Sequence, residues 1–232
     1  PGEWQSSGRA YPLSFWIIGY YLVNYGRESF LKDCENIDAI EAMSLKERLI
    51  TAFELAMACI EYVNAAWAIN LVGRILQEAS EDEAVFYELK PLINDGAGEK
   101  IYSGMGVEFK GCENTGECFE LSEAFFKAAA REGYVYACNN LAAREAENIV
   151  RLSETGDAIK RDKCVEKYID YLKLSADKYE PYAANRLGLF YMTGEIAGGS
   201  GNVTCKEYVD HRLAREYFNK ATVYPDGNSA WA

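Results

Sequence analysis

Nucleophilic catalysis by a serine or cysteine needs a nearby base, most often an imidazole, to take the proton. This chain carries one histidine, His211, in the segment DHRLAREYF beside Leu213 and Ala214 at helical spacing. That setting fits a surface or helix-capping side chain, and no triad assembles around it. The cysteines are Cys34, Cys59, Cys112, Cys118, Cys138, Cys164 and Cys205, an odd set without a repeating interval. Such a set argues against a disulfide framework and for a reducing compartment. Cys59 and Cys138 fall inside apolar helical patterns, where a thiol behaves as a small buried hydrophobe. Cys112 and Cys118 are near enough to form a metal clip or a local disulfide. Five residues separate them, however, a spacing outside the usual C-x2-4-C ligand pattern, and no histidine or second pair stands nearby. No metal is expected. Gly104-Met105-Gly106 completes no phosphate-binding fingerprint, so it reads as a connecting loop with no cofactor. The acidic run Glu81-Asp82-Glu83 follows Ser80 and complements the positive end of a helix. An enzyme is therefore not the expected class; a hydrolase-like or enzyme-associated domain using a cysteine or the acidic residues is the alternative.

The elements that would position any site are repeated. AINLVG at 68–73, ACNNLA at 137–142 and AANRLG at 183–188 share Ala, any, Asn, any, Val or Leu, then Gly or Ala. A second pattern, aromatic, any, Lys, then two small or apolar residues, recurs as FFKAA from Phe125, YLKLS from Tyr171 and FNKAT from Phe218, in steps of 46 and 47 residues. Phe125 precedes Ala137 by twelve residues, and Tyr171 precedes Ala183 by the same twelve. Each repeat is thus a two-part unit, and a period in this range points to stacked helical hairpins.

Val165, Tyr168, Ile169, Leu172 and Ala176 trace one helical stripe, and Ala183, Leu187, Phe190 and Tyr191 trace the next, opened by Pro181 at a first-turn position. Upstream, Leu121, Ala124, Phe125 and Ala128 make a first helix that Gly133 stops, and Tyr134, Ala137, Cys138 and Leu141 begin its partner. Capping boxes are expected at Ser44 with Glu47, Ser80 with Glu83, and Thr204 with Glu207. Leu45, Leu49, Phe53, Ala56 and Ile60 continue the first of these helices, with Ala68, Leu71, Val72 and Ile75 in its successor and a further helix near 81–94. Gly-rich stretches at 95–117 and 194–203 read as loops, and little or no sheet is expected.

The last half of the chain resembles the Sel-one-like repeat family, α-solenoid relatives of the tetratricopeptide repeat. FFKAAAREGYVYACNNLA (125–142) and YLKLSADKYEPYAANRLGLFYMTG (171–194) look like its unit, and YSGMGV (102–107) is similar to its loop. The resemblance implies an all-α fold, a right-handed superhelical α-solenoid of stacked antiparallel hairpins. It divides a single repeat domain, 1–232, into a degenerate N-terminal part at 1–43, an irregular repeat at 44–118, regular repeats at 119–222 and a tail at 223–232. WIIGYYLVNYG (16–26) fits the second helix of a degenerate unit. The small residues are expected to let the two helices of one hairpin approach. Asn70, Asn139 and Asn185 are expected to make a structural hydrogen bond rather than form a site. The cysteine-rich members of that family carry a regular pair in each repeat, which this chain lacks.

The expected function is a protein-protein interaction scaffold or adaptor that takes a peptide or helix in a concave groove, as the docking or sensory part of a larger protein. A self-assembling structural module is a further alternative. Tyr171 and Tyr217 sit on first helices, which line the inner surface of related solenoids, and Arg186 occupies a variable repeat position. These three are the expected partner-binding residues. The formal charge of -12 and pI near 4.7 disfavour nucleic acid and anionic membrane and favour a partner with basic residues. The longest apolar run, Phe15 to Val23, is shorter than the roughly 20 residues a bilayer span needs. A cytoplasmic location is expected, with the start at Pro1 leaving room for a signal already lost.

Overall fold

A computed structural model describes residues 43–63, 65–95, 102–107, 109 and 111–222. The segments 16–26 and 223–232 lie outside the described residues. The described chain is mostly helical, all-α in class, with one two-stranded ladder. Its contacts divide it into two compact units, Pro1–Tyr134 and Val135–Ala232. Among the described residues no helix is long and apolar enough to cross a membrane.

In the first unit, helix α1 (Leu45–Val63) opens on the expected reciprocal box: the Ser44 amide donates to Glu47 Oε2 at 2.8 Å and the Glu47 amide to Ser44 Oγ at 3.2 Å. Helix α2 (Ala66–Glu81) packs on α1 and buries Ala68, Leu71, Val72, Ile75, Leu76 and Ala79. The box expected at Ser80 and Glu83 does not form. Ser80 lies inside the last turn of α2, where its hydroxyl donates to the Gln77 carbonyl at 2.6 Å. The cap falls to Asp82, the first extended residue, which accepts from the Ala84 and Val85 amides at the head of α3 (Glu83–Ile93). After a short helical turn at 102–104, α4 (Thr115–Arg131) begins within the stretch expected to be loop, because Asn114 accepts from the Glu117 amide at 2.9 Å. Tyr102 is buried between these elements; its hydroxyl donates to the Ile93 carbonyl at 3.1 Å and its ring meets Phe125 edge-on at 5.4 Å.

In the second unit, α5 (Val135–Thr155), α6 (Ala158–Ala176), α7 (Pro181–Thr193) and α8 (His211–Thr222) pack each on the next. Pro181 occupies the first turn of α7 as expected. Gly194 ends it at φ +74°, where an added β-carbon would stand 2.7 Å from the Cys205 carbonyl oxygen. The Gly-rich stretch that follows is a hairpin rather than a plain loop: β1 (Glu195–Ala197) pairs antiparallel with β2 (Asn202–Thr204), Ile196 opposite Val203. The Gly199 amide and the Ser200 hydroxyl at its tip both donate to the Glu147 carboxylate on α5, the latter at 2.7 Å. Thr204 is therefore a strand residue, and the cap expected there lies instead at Asp210, which accepts from the Arg212 and Leu213 amides at 2.9 Å each.

The repeated glycines face forward along the chain. A β-carbon on Gly188 of α7 would meet the Phe218 ring of α8 at 2.7 Å, and one on Gly73 of α2 would meet the Phe126 ring of α4 at 2.7 Å. Their bare surface admits a ring from a later helix, α8 for Gly188 and α4 for Gly73.

Candidate partner-binding surface

The turn from α6 to α7 determines which side chains reach solvent. Helix α4 ends in a Schellman motif: the Gly133 amide donates to the Ala130 carbonyl, the Tyr134 amide to the Ala129 carbonyl, and Gly133 takes φ +87°. Forty-six residues later α6 ends the same way, with the Tyr179 amide on Ala176 and the Glu180 amide on Ser175. Tyr179 takes the left-handed position at φ +62°, the sole described residue other than glycine with positive φ. A β-carbon in this region crowds the following carbonyl, costing roughly 1–2 kcal/mol. Here an aromatic residue stands where the preceding repeat has glycine, and its side chain is 55% exposed.

Glu180 holds the turn. Its carboxylate is buried, accepts from the Tyr182 and Ala183 amides at 3.3 and 2.7 Å, and takes the Asn139 side-chain amide from α5 at 3.1 Å. On α5, three residues before Asn139, Tyr136 is 52% exposed; on α7, two residues after Glu180, Tyr182 is 54% exposed. The Arg186 guanidinium lies 5.9 Å from the Tyr182 ring centre and donates to the Ala197 carbonyl at 3.3 Å. Tyr182, Asn185, Leu189 and Met192 continue as one exposed stripe along α7. Three exposed tyrosines with an arginine on one ring, all in the second unit, offer flat apolar area with hydroxyl direction, the composition of binding surfaces.

The three expected partner-binding residues are placed differently from one another. Arg186 belongs to this surface. Tyr171 is half-buried and packs against the core of the second unit. Tyr217 is 9% exposed, its ring stacked on Tyr191 at 5.7 Å and 12°, with the Lys220 ammonium 5.7 Å from its ring centre. Burial pushes both phenols up, Tyr191 to about 12. Sequence reasoning missed Tyr136 and Tyr182 although a signal was present: an aromatic residue precedes the alanine in every copy of the motif, as Trp67, Tyr136 and Tyr182. On a helix whose Ala, Leu and Gly face inward, that flanking position turns toward solvent, and Trp67 in the first unit is partly exposed as well.

The repeated asparagines do not share one hydrogen bond. Asn70 is buried, Asn139 spans to Glu180 while its Oδ1 is buried without a partner, and Asn185 is exposed. His211 is the exposed first residue of α8, and the cap there is Asp210. Among the described residues no group of three or more His, Cys, Asp or Glu is gathered as a metal site. The charge is uneven: through Tyr134 the chain carries 11 basic and 22 acidic residues, and from Val135 onward 13 and 14. No family model, no curated protein and no solved structure matches this chain, so the tyrosine surface rests on its own geometry.

Proposed function

We propose that this chain is a protein-binding repeat scaffold, a right-handed superhelical α-solenoid of stacked antiparallel hairpins similar to Sel-one-like repeats. It captures a peptide or short helix of another protein on the surface made by Tyr136, Tyr179, Tyr182 and Arg186. The observation that carries the proposal is Tyr179: an exposed ring kept on a left-handed residue at a repeat position that accepts glycine. Strain of this kind persists where the side chain has a use, and folding alone is served better by glycine. The partner's contact segment is rich in Lys or Arg. Exposed tyrosine faces attract such cations.

The test is capture of binding proteins from the source cell by the wild-type chain and by a Tyr136→Ala, Tyr182→Ala double variant of unchanged helical content. A partner recovered by the first should bind the second at least tenfold more weakly in calorimetry, since buried tyrosine anchors commonly contribute 1–2 kcal/mol or more each. Equal binding by both would remove the surface from the function. Concentration-dependent sedimentation of the wild type, abolished in the double variant, would identify the occupant as a second copy and support the self-assembling module instead.

A further inference from the structure

Outside the tyrosine surface, the first unit holds a pair of thiols whose surroundings are built around them. Cys112 and Cys118 are both fully buried and meet at one carbonyl: the Cys112 thiol lies 3.8 Å from the Asn114 oxygen, which also accepts the Cys118 amide at 3.0 Å. Cys112 is fixed from both sides by the side chain of Asn94: its amide donates to Asn94 Oδ1 at 2.8 Å and its carbonyl accepts from Asn94 Nδ2 at 3.0 Å. Cys118 sits one turn into α4, whose start is fixed by the Asn114 cap, and its Sγ is 3.3 Å from the Leu76 carbonyl of α2. The Leu76 carbonyl lies inside α2, so the helical ladder satisfies it whether or not the thiol remains. Among the described cysteines, Cys59, Cys138 and Cys205 are raised by burial without a neighbouring thiol, and Cys164 faces Glu145 instead. Free thiols brought together in this way, on backbone held by asparagine side chains, are positioned for a covalent bond with little chain movement.

We propose that Cys112 and Cys118 form a redox-responsive dithiol, oxidised by a low-molecular-weight disulfide to an intramolecular bond that staples the segment before α4 to its first turn. In the first step the Cys112 thiolate attacks one sulfur of the oxidant, the oxidant's S–S bond breaks, and one small thiolate leaves. In the second, Cys118 gives up its proton, attacks Cys112 Sγ in the mixed disulfide and expels the second small thiolate. Two electrons and two protons pass from the protein to the oxidant, which ends as two thiols. The order of attack follows from the two thiols' surroundings. The neighbouring Cys118 thiol holds Cys112 below its ordinary value, with Lys90 assisting against burial, Glu117 and Glu113, while Cys118 is pushed up by the neighbouring Cys112 and by burial. Because both sulfurs are buried, attack proceeds from a local opening of the 111–118 segment, and the reaction is slow relative to exposed thiols.

The full chain is equilibrated in glutathione buffers from reduced to oxidised, quenched in acid, alkylated in denaturant, digested and mapped by mass spectrometry. The expected product is a peptide linked between Cys112 and Cys118, growing with the oxidised fraction and removed by dithiothreitol. The oxidised form should melt higher by on the order of 5 °C, a gain that dithiothreitol reverses and that Cys112→Ser abolishes. Complete alkylation of both thiols after equilibration with oxidised glutathione would overturn the proposal, as would persistent mixed disulfides at either position or linkage of either to another cysteine. The wild-type map decides this without reliance on any variant's folding.

Discussion

The Phe218 ring of α8 occupies the space where a β-carbon on Gly188 of α7 would lie, 2.7 Å away. Glycine in mid-helix costs about 1 kcal/mol relative to alanine, so an open helix face would gain from the change. Here the added methyl meets a ring backed by the core of the second unit. Gly188→Ala should therefore lower stability by about 1–3 kcal/mol in urea unfolding. Phe218→Leu should recover part of the loss when combined with it. A gain of stability from Gly188→Ala alone would show that the seam is loose.

Tyr179 makes the opposite case, a position where glycine should help folding. Tyr179→Gly removes the crowded β-carbon at φ +62° and should raise stability by about 1 kcal/mol, net of the greater freedom of glycine in the unfolded chain. Tyr179→Val, branched at the β-carbon, should lower it. Denaturant midpoints at unchanged m-value measure both. If Tyr179 serves partner binding, the stabilised glycine variant is also the weaker binder.

Glu180 is both the cap of α7 and the acceptor for Asn139. Glu180→Ala removes two amide acceptors and leaves the Asn139 amide unmatched, for an expected loss of about 2 kcal/mol. Asn139→Ala deletes only the reach from α5 and should lose about 1 kcal/mol. A double-mutant cycle between them should show coupling, whereas strict additivity would mean that the 3.1 Å contact contributes nothing.

At the head of α8, the Leu213 and Arg212 amides hold the Asp210 carboxyl below the usual carboxylate range, with Arg212 and His211 assisting. A carboxyl lowered in the folded state contributes stability that is present above its unfolded value near 3.8 and is lost as pH falls through the lower folded value. The wild type should thus lose melting temperature on acidification below about pH 4 more steeply than Asp210→Asn, which keeps an amide acceptor without the titration. Parallel pH profiles for the two proteins would exclude this cap as a source of acid sensitivity.

Several of these relationships were visible in the sequence, and the reasons for the others being hidden are local. Ser44 with Glu47, Pro181 and Gly133 each act through their own backbone, so residue type and spacing were sufficient. Ser80 and Thr204 carry the same signature as Ser44, but each already belongs to another element, the end of α2 and strand β2, and an aspartate nearby takes the cap. Cap signatures report which residues are able to begin a helix; which one does depends on where the preceding element stops. The tyrosine surface was hidden for another reason. Aromatic residues on first helices looked like groove residues, yet Tyr217 is needed to fill the core against Tyr191, while Tyr136 and Tyr182 stand one position outside the motif. Burial is a property of packing between helices, which a repeat read along one helix does not contain.

The contact between Glu147 and the tip of the hairpin determines where the chain can be cut. Two strands of three paired residues are too short to persist alone in water, and this pair is tied at its tip to a carboxylate more than fifty residues earlier. A fragment beginning after Glu147 would retain both strands in sequence and lose what anchors them. The hairpin also carries the Ala197 carbonyl that Arg186 holds, so such a fragment would lose Tyr136 outright and loosen Arg186 beside Tyr182. Pieces of this protein made for binding work should therefore begin before α5.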